Sequence, residues 1–210
     1  MKKVKNFLCC IVCIAIGLFV LIVLIGVVYK PKVVISNWQP ETIITSKTTI
    51  KSATYESMNV PAINSSFKSW MDYRAVTDKN SPQYKMIKRY GWSDSQGFMR
   101  ASGEIEYGIN DDYYMVALGS YYGTTIGTKY RITTDTGNVF YVVLTDCKAD
   151  KHTDDMNQYV PKNNNVVEFL IDSSKLNQAV KYHGTANVHS PLHGSIVSIE
   201  KIDFTKQKDD

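Results

Sequence analysis

Little in this chain can be stapled. Of its 4 cysteines, Cys9, Cys10 and Cys13 fall inside one N-terminal apolar run, which leaves Cys147 alone in the remainder. A single thiol excludes an internal disulfide there, so that part must hold together by its core. Other signatures are missing too. There is no helix-borne HExxH, no cysteine pair outside the apolar run and no EF-hand loop with its glycine. Nor is there an internal repeat or a basic run interleaved with aromatics. The net charge of +4 owes part of its excess to lysines flanking the apolar run, and no nucleic-acid partner is expected.

What is present begins with that run. Residues 7–29, FLCCIVCIAIGLFVLIVLIGVVY, carry no charge and as a helix would span roughly 34 Å, enough for the hydrocarbon core of a bilayer. Lys2, Lys3 and Lys5 precede it, as in a signal peptide, but the run is longer than such a segment and no small-residue cleavage site closes it. The expectation is an uncleaved single-pass anchor, residues 1–32, with the N-terminus cytoplasmic and the C-terminal part outside. Cys9, Cys10 and Cys13 are then sites open to palmitoylation. Residues 33–66 are rich in Ser, Thr and Asn, broken by Pro40 and Pro61, and read as a polar spacer. Residues 67–210 form the extracytoplasmic domain.

Within the domain, Phe67, Trp70, Met71 and Ala75 fall at helical spacing behind Ser65 or Ser66, and Ser81-Pro82 opens a second helix, QYKMIKRY. Beyond Gly91 short β-prone runs follow one another: FMRASGEIEY, DYYMVALG, TKYRITT, NVFYVVLT, VVEFLID and GSIVSIEKI. Thr136-Gly137-Asn138 turns one run into the next, and Asp172-Ser173-Ser174 caps a short helix, SKLNQAVKY. Many short strands with few helices predict a mainly β fold, a small closed barrel.

The run MVALGSYYGTTIGTKYRITTDTGNVFYVVLTD, then NNVVEFLID and GSIVSIEKI, resembles the double-psi β-barrel domains of bacterial cell-wall proteins. These are the three-aspartate (3D) domain of lytic transglycosylase A, the RlpA-like transglycosylases and the expansin barrel. Ile126-Gly127-Thr128-Lys129-Tyr130-Arg131-Ile132 resembles the family's Gly-Thr corner, Asp146 stands where the family has an Asp at a strand end, and Glu168 stands where it has a later acid. In the expansin and RlpA-like variants the comparable acid aligns with Asp172. The likeness covers about residues 113–202. It departs from the family where Thr125-Ile126 replaces a proline before the corner and Asp146-Cys147-Lys148-Ala149 replaces a glycine-rich turn.

The resemblance implies a six-stranded double-psi barrel and cleavage of peptidoglycan glycan strands without a water nucleophile. One carboxyl group protonates the leaving oxygen and then takes the proton of the C6 hydroxyl as a 1,6-anhydro ring closes. Asp146 is the expected acid/base, with Glu168 or Asp172 as its partner. The alternative reading of the same residues is that Glu168 faces solvent and Asp146 accepts backbone N–H bonds at a turn.

Expected substrate contacts are Tyr121, Tyr122, Thr128, Lys148, Asp150 and His152. The tyrosines offer apolar faces for sugar rings, though tyrosine is equally an ordinary strand former. Asp150, His152, Asp154 and Asp155 with His183, His189 or His193 make a thin case for a cation site, and Asp146-Cys147 a thinner one for a thiol nucleophile. Neither a metal nor a cofactor is expected. The functional expectation is a membrane-anchored peptidoglycan lytic transglycosylase. Its rivals are a non-catalytic, expansin-like glycan-binding barrel and a barrel that docks a protein partner.

Overall fold

The computed structural model describes residues 52–102 and 112–205. The apolar run 7–29 and most of the expected spacer lie outside the described residues. Among those described, the fold is mainly β: nine strands form one mixed sheet. In chain order the elements are β1 (Ser52–Met58), β2 (Ser69–Asp72), α1 (Pro82–Tyr90), β3 (Gly91–Ser93), β4 (Met99–Ala101), β5 (Tyr113–Leu118), β6 (Lys129–Thr134), β7 (Val139–Cys147), β8 (Glu168–Ile171), α2 (Gln178–His183) and β9 (Ile196–Thr205). The main path runs β1-β9-β6-β7-β5-β4-β3, with β8 joined to β5 and β2 joined to β8. Where six strands were expected, the described residues form nine, and the described ladder does not close on itself.

Two expectations near the start of the domain are overturned. Ser52–Met58 is no spacer: it pairs residue for residue with β9, Ser52 opposite Thr205 and Met58 opposite Ile199. Ser69–Asp72 is no helix either. It runs parallel to β8, Ser69 opposite Glu168 and Asp72 opposite Ile171, and only Tyr73–Ala75 turns as a short 3-10 segment. A ladder offered by a distant strand has overridden the local helical spacing. Ser65, expected to cap that helix, is fully buried; its hydroxyl accepts the Ile196 N–H at 2.8 Å and donates to the Ile196 carbonyl at 3.2 Å. Ser65→Ala would leave both groups of Ile196 without this partner in the core. A loss of about 1–3 kcal/mol in urea unfolding is expected.

Other elements form as the sequence indicates. Ser81 caps α1 by accepting the Tyr84 N–H, with Pro82 at the first helical position. Gly137, at φ 83°, turns β6 into β7, where the Thr134 N–H donates to the Asn138 carbonyl. The short helix α2 starts later than expected, capped by Asn177 and stopped by Gly184 in the left-handed region at φ 66°.

The sheet buries both faces. Val116, Leu118, Tyr130, Ile132, Phe140, Val142, Leu144, Phe169 and Ile171 fill the inner side. Met99, Tyr113, Met115, Val143 and Leu170 face the outer side, where Ile87 of α1 packs on them. Two parallel pairings, β5 with β7 and β2 with β8, sit among antiparallel ones. Between β2 and the end of β8, Arg74 bonds Asp72 at 2.8 and 2.9 Å and Asp172 at 2.9 Å. Those bonds hold the Asp72 carboxyl well below the usual carboxylate range. Asp172 is lowered chiefly by the Ser174 hydroxyl, and Glu200 by Arg131.

A depressed folded-state pKa contributes stability above the unfolded value, about 4, and loses it as pH falls through the folded value. The melting temperature is therefore expected to drop on acidification below about pH 4. Arg74→Met should flatten that drop, checked by thermal melts from pH 7 to pH 2.

Candidate active site

The acids Asp146 and Glu168 meet at one residue of the central strand. Ala117 of β5 pairs with Asp146 of β7 on one side and with Glu168 of β8 on the other. Paired residues on adjacent strands point to the same face. Both side chains therefore project on the side of Ala117, which is itself buried. With strands about 4.8 Å apart, the two Cα atoms lie roughly 10 Å from each other. Asp146 and Glu168 are both half-buried.

A local irregularity creates this arrangement. Along β7, Phe140, Val142 and Leu144 point into the inner core, and strict alternation would send Asp146 there as well. The register shifts between Val116 and Ala117, so that Leu144 pairs with Val116 but Asp146 with Ala117. Thr145 is the extra residue, fully buried, its hydroxyl donating to the Val143 carbonyl at 3.2 Å. This bulge turns Asp146 to the outer face and Cys147 to the inner one, where it packs against the core. Opposite them, Glu168 follows the buried Val166 and Val167 and precedes Phe169, which pairs with Val116 on the inner side.

The remaining expected site residues are placed as follows. Asp172 is not part of the pair: it lies four residues along the chain from Glu168, roughly 13 Å on an extended strand, and Arg74 takes its carboxylate. Tyr122 is corrected outright. It is 1% exposed within the inner core and cannot stack on a sugar; burial pushes its phenol pKa up. Tyr121 is half-buried, edge-on to Tyr122 at 5.2 Å. Thr128 donates its hydroxyl to the Thr125 carbonyl at 2.7 Å and lines, with Lys129, Lys201 and Phe204, a cleft of about 350 Å³. Asp150 is exposed and accepts the Ser120 hydroxyl at 2.7 Å; His152 is exposed beside it. Lys148 is 8% exposed and lies inside the molecule rather than on the loop surface.

The competing chemistries find little to work with. Among the described residues no three His, Cys, Asp or Glu side chains come together as a metal cluster would require. Asp154 instead accepts the N–H groups of Gln158 and Tyr159 at 2.6 and 2.9 Å, closing its own loop. His189 stacks on Phe98 at 4.9 Å, and burial lowers its pKa. The Cys147 thiol is pushed up, first by burial and then by Asp146 and Asp150, which disfavours the thiolate a nucleophile needs.

One buried cation carried no signal in the sequence. Lys68 is fully buried and donates to the carbonyls of Ser66 and Gly194 at 3.1 and 2.5 Å and to Asn187 at 3.1 Å. Burial lowers its pKa to about 8. All three ammonium donors are used, so Lys68 ties β2 to the loop before β9 and has no donor left for a ligand.

No family model, curated protein or solved structure matches this chain.

Proposed function

We propose that the chain is a membrane-anchored cell-wall protein whose extracytoplasmic sheet, a relative of the double-psi barrel, cleaves peptidoglycan glycan strands with Asp146 as acid/base. The observation that carries this reading is the pairing of Asp146 and Glu168 across Ala117, which sets both half-buried acids on one face of the sheet. Kinship with the double-psi barrel is supported by the parallel pairs β5 with β7 and β2 with β8, joined through β5 and β8. In this reading Asp146 protonates the glycosidic oxygen and then accepts the C6 hydroxyl proton, while Glu168 supplies negative charge toward the oxocarbenium-like centre.

A second reading rests on a specific contact. Asp146 Oδ1 accepts the N–H of Cys147 at 2.9 Å, the bond of a turn-forming aspartate, which favours a sheet that binds glycan without cutting it. Incubating the full-length chain in detergent with purified sacculi separates the two. Cleavage predicts falling turbidity and soluble fragments. Binding alone predicts protein in the pellet with intact sacculi, and protein left in the supernatant overturns both.

A further inference from the structure

The outer face of the sheet carries more than the acid pair. Two clefts of about 520 and 360 Å³ adjoin there, sharing Tyr73, Ile87 and Lys88. The larger lies between the 3-10 turn after β2 and α1, with Lys79 and Tyr84 among its walls. The smaller runs on past β3 to Trp92, Asp172 and Lys175. Volumes of this order suit a segment of an organic ligand. Ile87 lines both clefts and packs in the outer cluster with Leu170, which points to the same side of β8 as Glu168. The groove therefore shares a face with the acids, its Asp172 end roughly 13 Å along the chain from Glu168.

Aromatic faces and cations without ion-pair partners meet in this groove. Trp92 is 41% exposed, and Tyr73 and Tyr84 are half-buried. The Lys88 ammonium stands 5.6 Å from the centre of the Tyr84 ring and the Arg74 guanidinium 5.2 Å from that of Tyr73. Asp172 is the one acid lining either cleft, and Arg74 takes it together with Asp72. Asp78, next to Lys79 in the chain, accepts the Asn80 N–H at 2.9 Å. Lys79, Lys88 and Lys175 are exposed and make no ion pair among the described residues. One solvated lysine means little. Three of them around half-open rings, with the local acid already neutralised, complement a ligand that carries both apolar ring faces and negative charge.

We propose that this groove is a second binding site for the peptidoglycan strand, taking its carboxylate-bearing part: sugar faces stack on Trp92 and the tyrosines, and carboxylates face Lys79, Lys88 and Lys175. This rests on the reading above that the outer face engages peptidoglycan. The anions such a strand brings are the carboxylates of the peptides on its muramic acid units. The walls come mostly from β2, α1 and β3, ahead of residues 113–202 that resemble the cell-wall barrels, so the groove belongs to this chain.

The test measures how much full-length chain, in detergent, pellets with purified sacculi as salt is raised from about 50 to about 500 mM. Lys88→Gln combined with Lys175→Gln is expected to weaken binding roughly fivefold at low salt and little at high salt. The control of equal charge, Lys162→Gln with Lys181→Gln, should bind as wild type does. Trp92→Ala should weaken binding roughly threefold at both salt levels, because stacking is not screened. All five side chains are exposed, so the fold is kept.

Sacculi whose carboxylates have been converted to methylamides should hold wild type at least as weakly as untreated sacculi hold the groove variant. Sacculi stripped of phosphodiester polymers by hydrofluoric acid should bind as before; a loss there would assign the lysines to phosphate and overturn the proposal. Equal binding by the groove and control variants overturns it too, as does wild type that fails to pellet. Cleavage is scored separately. If wild type binds through the lysines and releases no fragments, the groove stands and the cutting falls; if it cuts and the variants all bind alike, the groove falls alone.

Discussion

Asp146→Asn is expected to reduce glycan cleavage by the full-length chain roughly 10²–10⁴-fold while binding to sacculi is kept. The substitution preserves shape. Asparagine's oxygen can still accept the Cys147 N–H, now at 2.9 Å, and the buried Thr145 still holds the bulge that turns position 146 outward. Only the exchangeable proton is lost, so a large fall in rate at constant binding identifies that proton as the one transferred. Glu168→Gln should cost less, because Glu168 contributes charge and takes no proton in the proposed step. Equal losses for the two variants, read from initial rates of fragment release, would place the acid/base on the pair as a whole.

The largest effect on stability is expected from Phe169→Ala. Phe169 is fully buried, with its ring 5.6 Å from Phe98, 5.5 Å from Tyr114 and 6.1 Å from Phe140. Removing it opens a cavity where strands β4, β5, β7 and β8 converge, and about 3–5 kcal/mol should be lost in urea unfolding. Phe169 also pairs with Val116 next to the Glu168–Ala117 pair, so cleavage should fall at temperatures where the variant is still folded. Val139→Ala is the control: Val139 begins the same strand as Asp146 but is half-exposed, and little change is expected there.

The sheet was legible in the sequence wherever one face is apolar and the other polar. Lys129–Thr134 alternates between half-buried and buried residues along its whole length, and the Thr136-Gly137-Asn138 turn fixes its partner. Where alternation failed, its physical cause was non-local. The strand Ser52–Met58 is polar and largely exposed, and it is held by the long β9, whose first half pairs chiefly with β6. Phe67, Trp70, Met71 and Ala75 suit a helix by local spacing, yet the backbone of β8 offers a parallel ladder that no spacing rule could announce.

The candidate site was legible in part for the same reason. Residue types and the likeness to cell-wall barrels singled out Asp146 and Glu168. The bulge at Thr145 brings them to one face, and a single inserted residue in a ladder leaves no mark in the sequence. Tyr122 shows the converse: its sequence context suited a rim tyrosine, but the 3-10 turn at Ser120–Tyr122 drives it into the core, where its carbonyl accepts the Tyr130 hydroxyl. Lys148, expected to touch substrate from the loop, is instead buried. Charge type was readable there, and burial was not.

Fragment mass tests the central claim most directly. The roughly 10 Å between the Asp146 and Glu168 backbones also leaves room for a water molecule, so a two-carboxylate hydrolysis is the nearest competitor. Mass spectrometry of the muropeptides released by full-length wild type decides between them. The account predicts products lighter by one water than hydrolytic fragments, ending in 1,6-anhydro rings, and absent with Asp146→Asn. Hydrated reducing ends, or anhydro products that persist in Asp146→Asn, would contradict it.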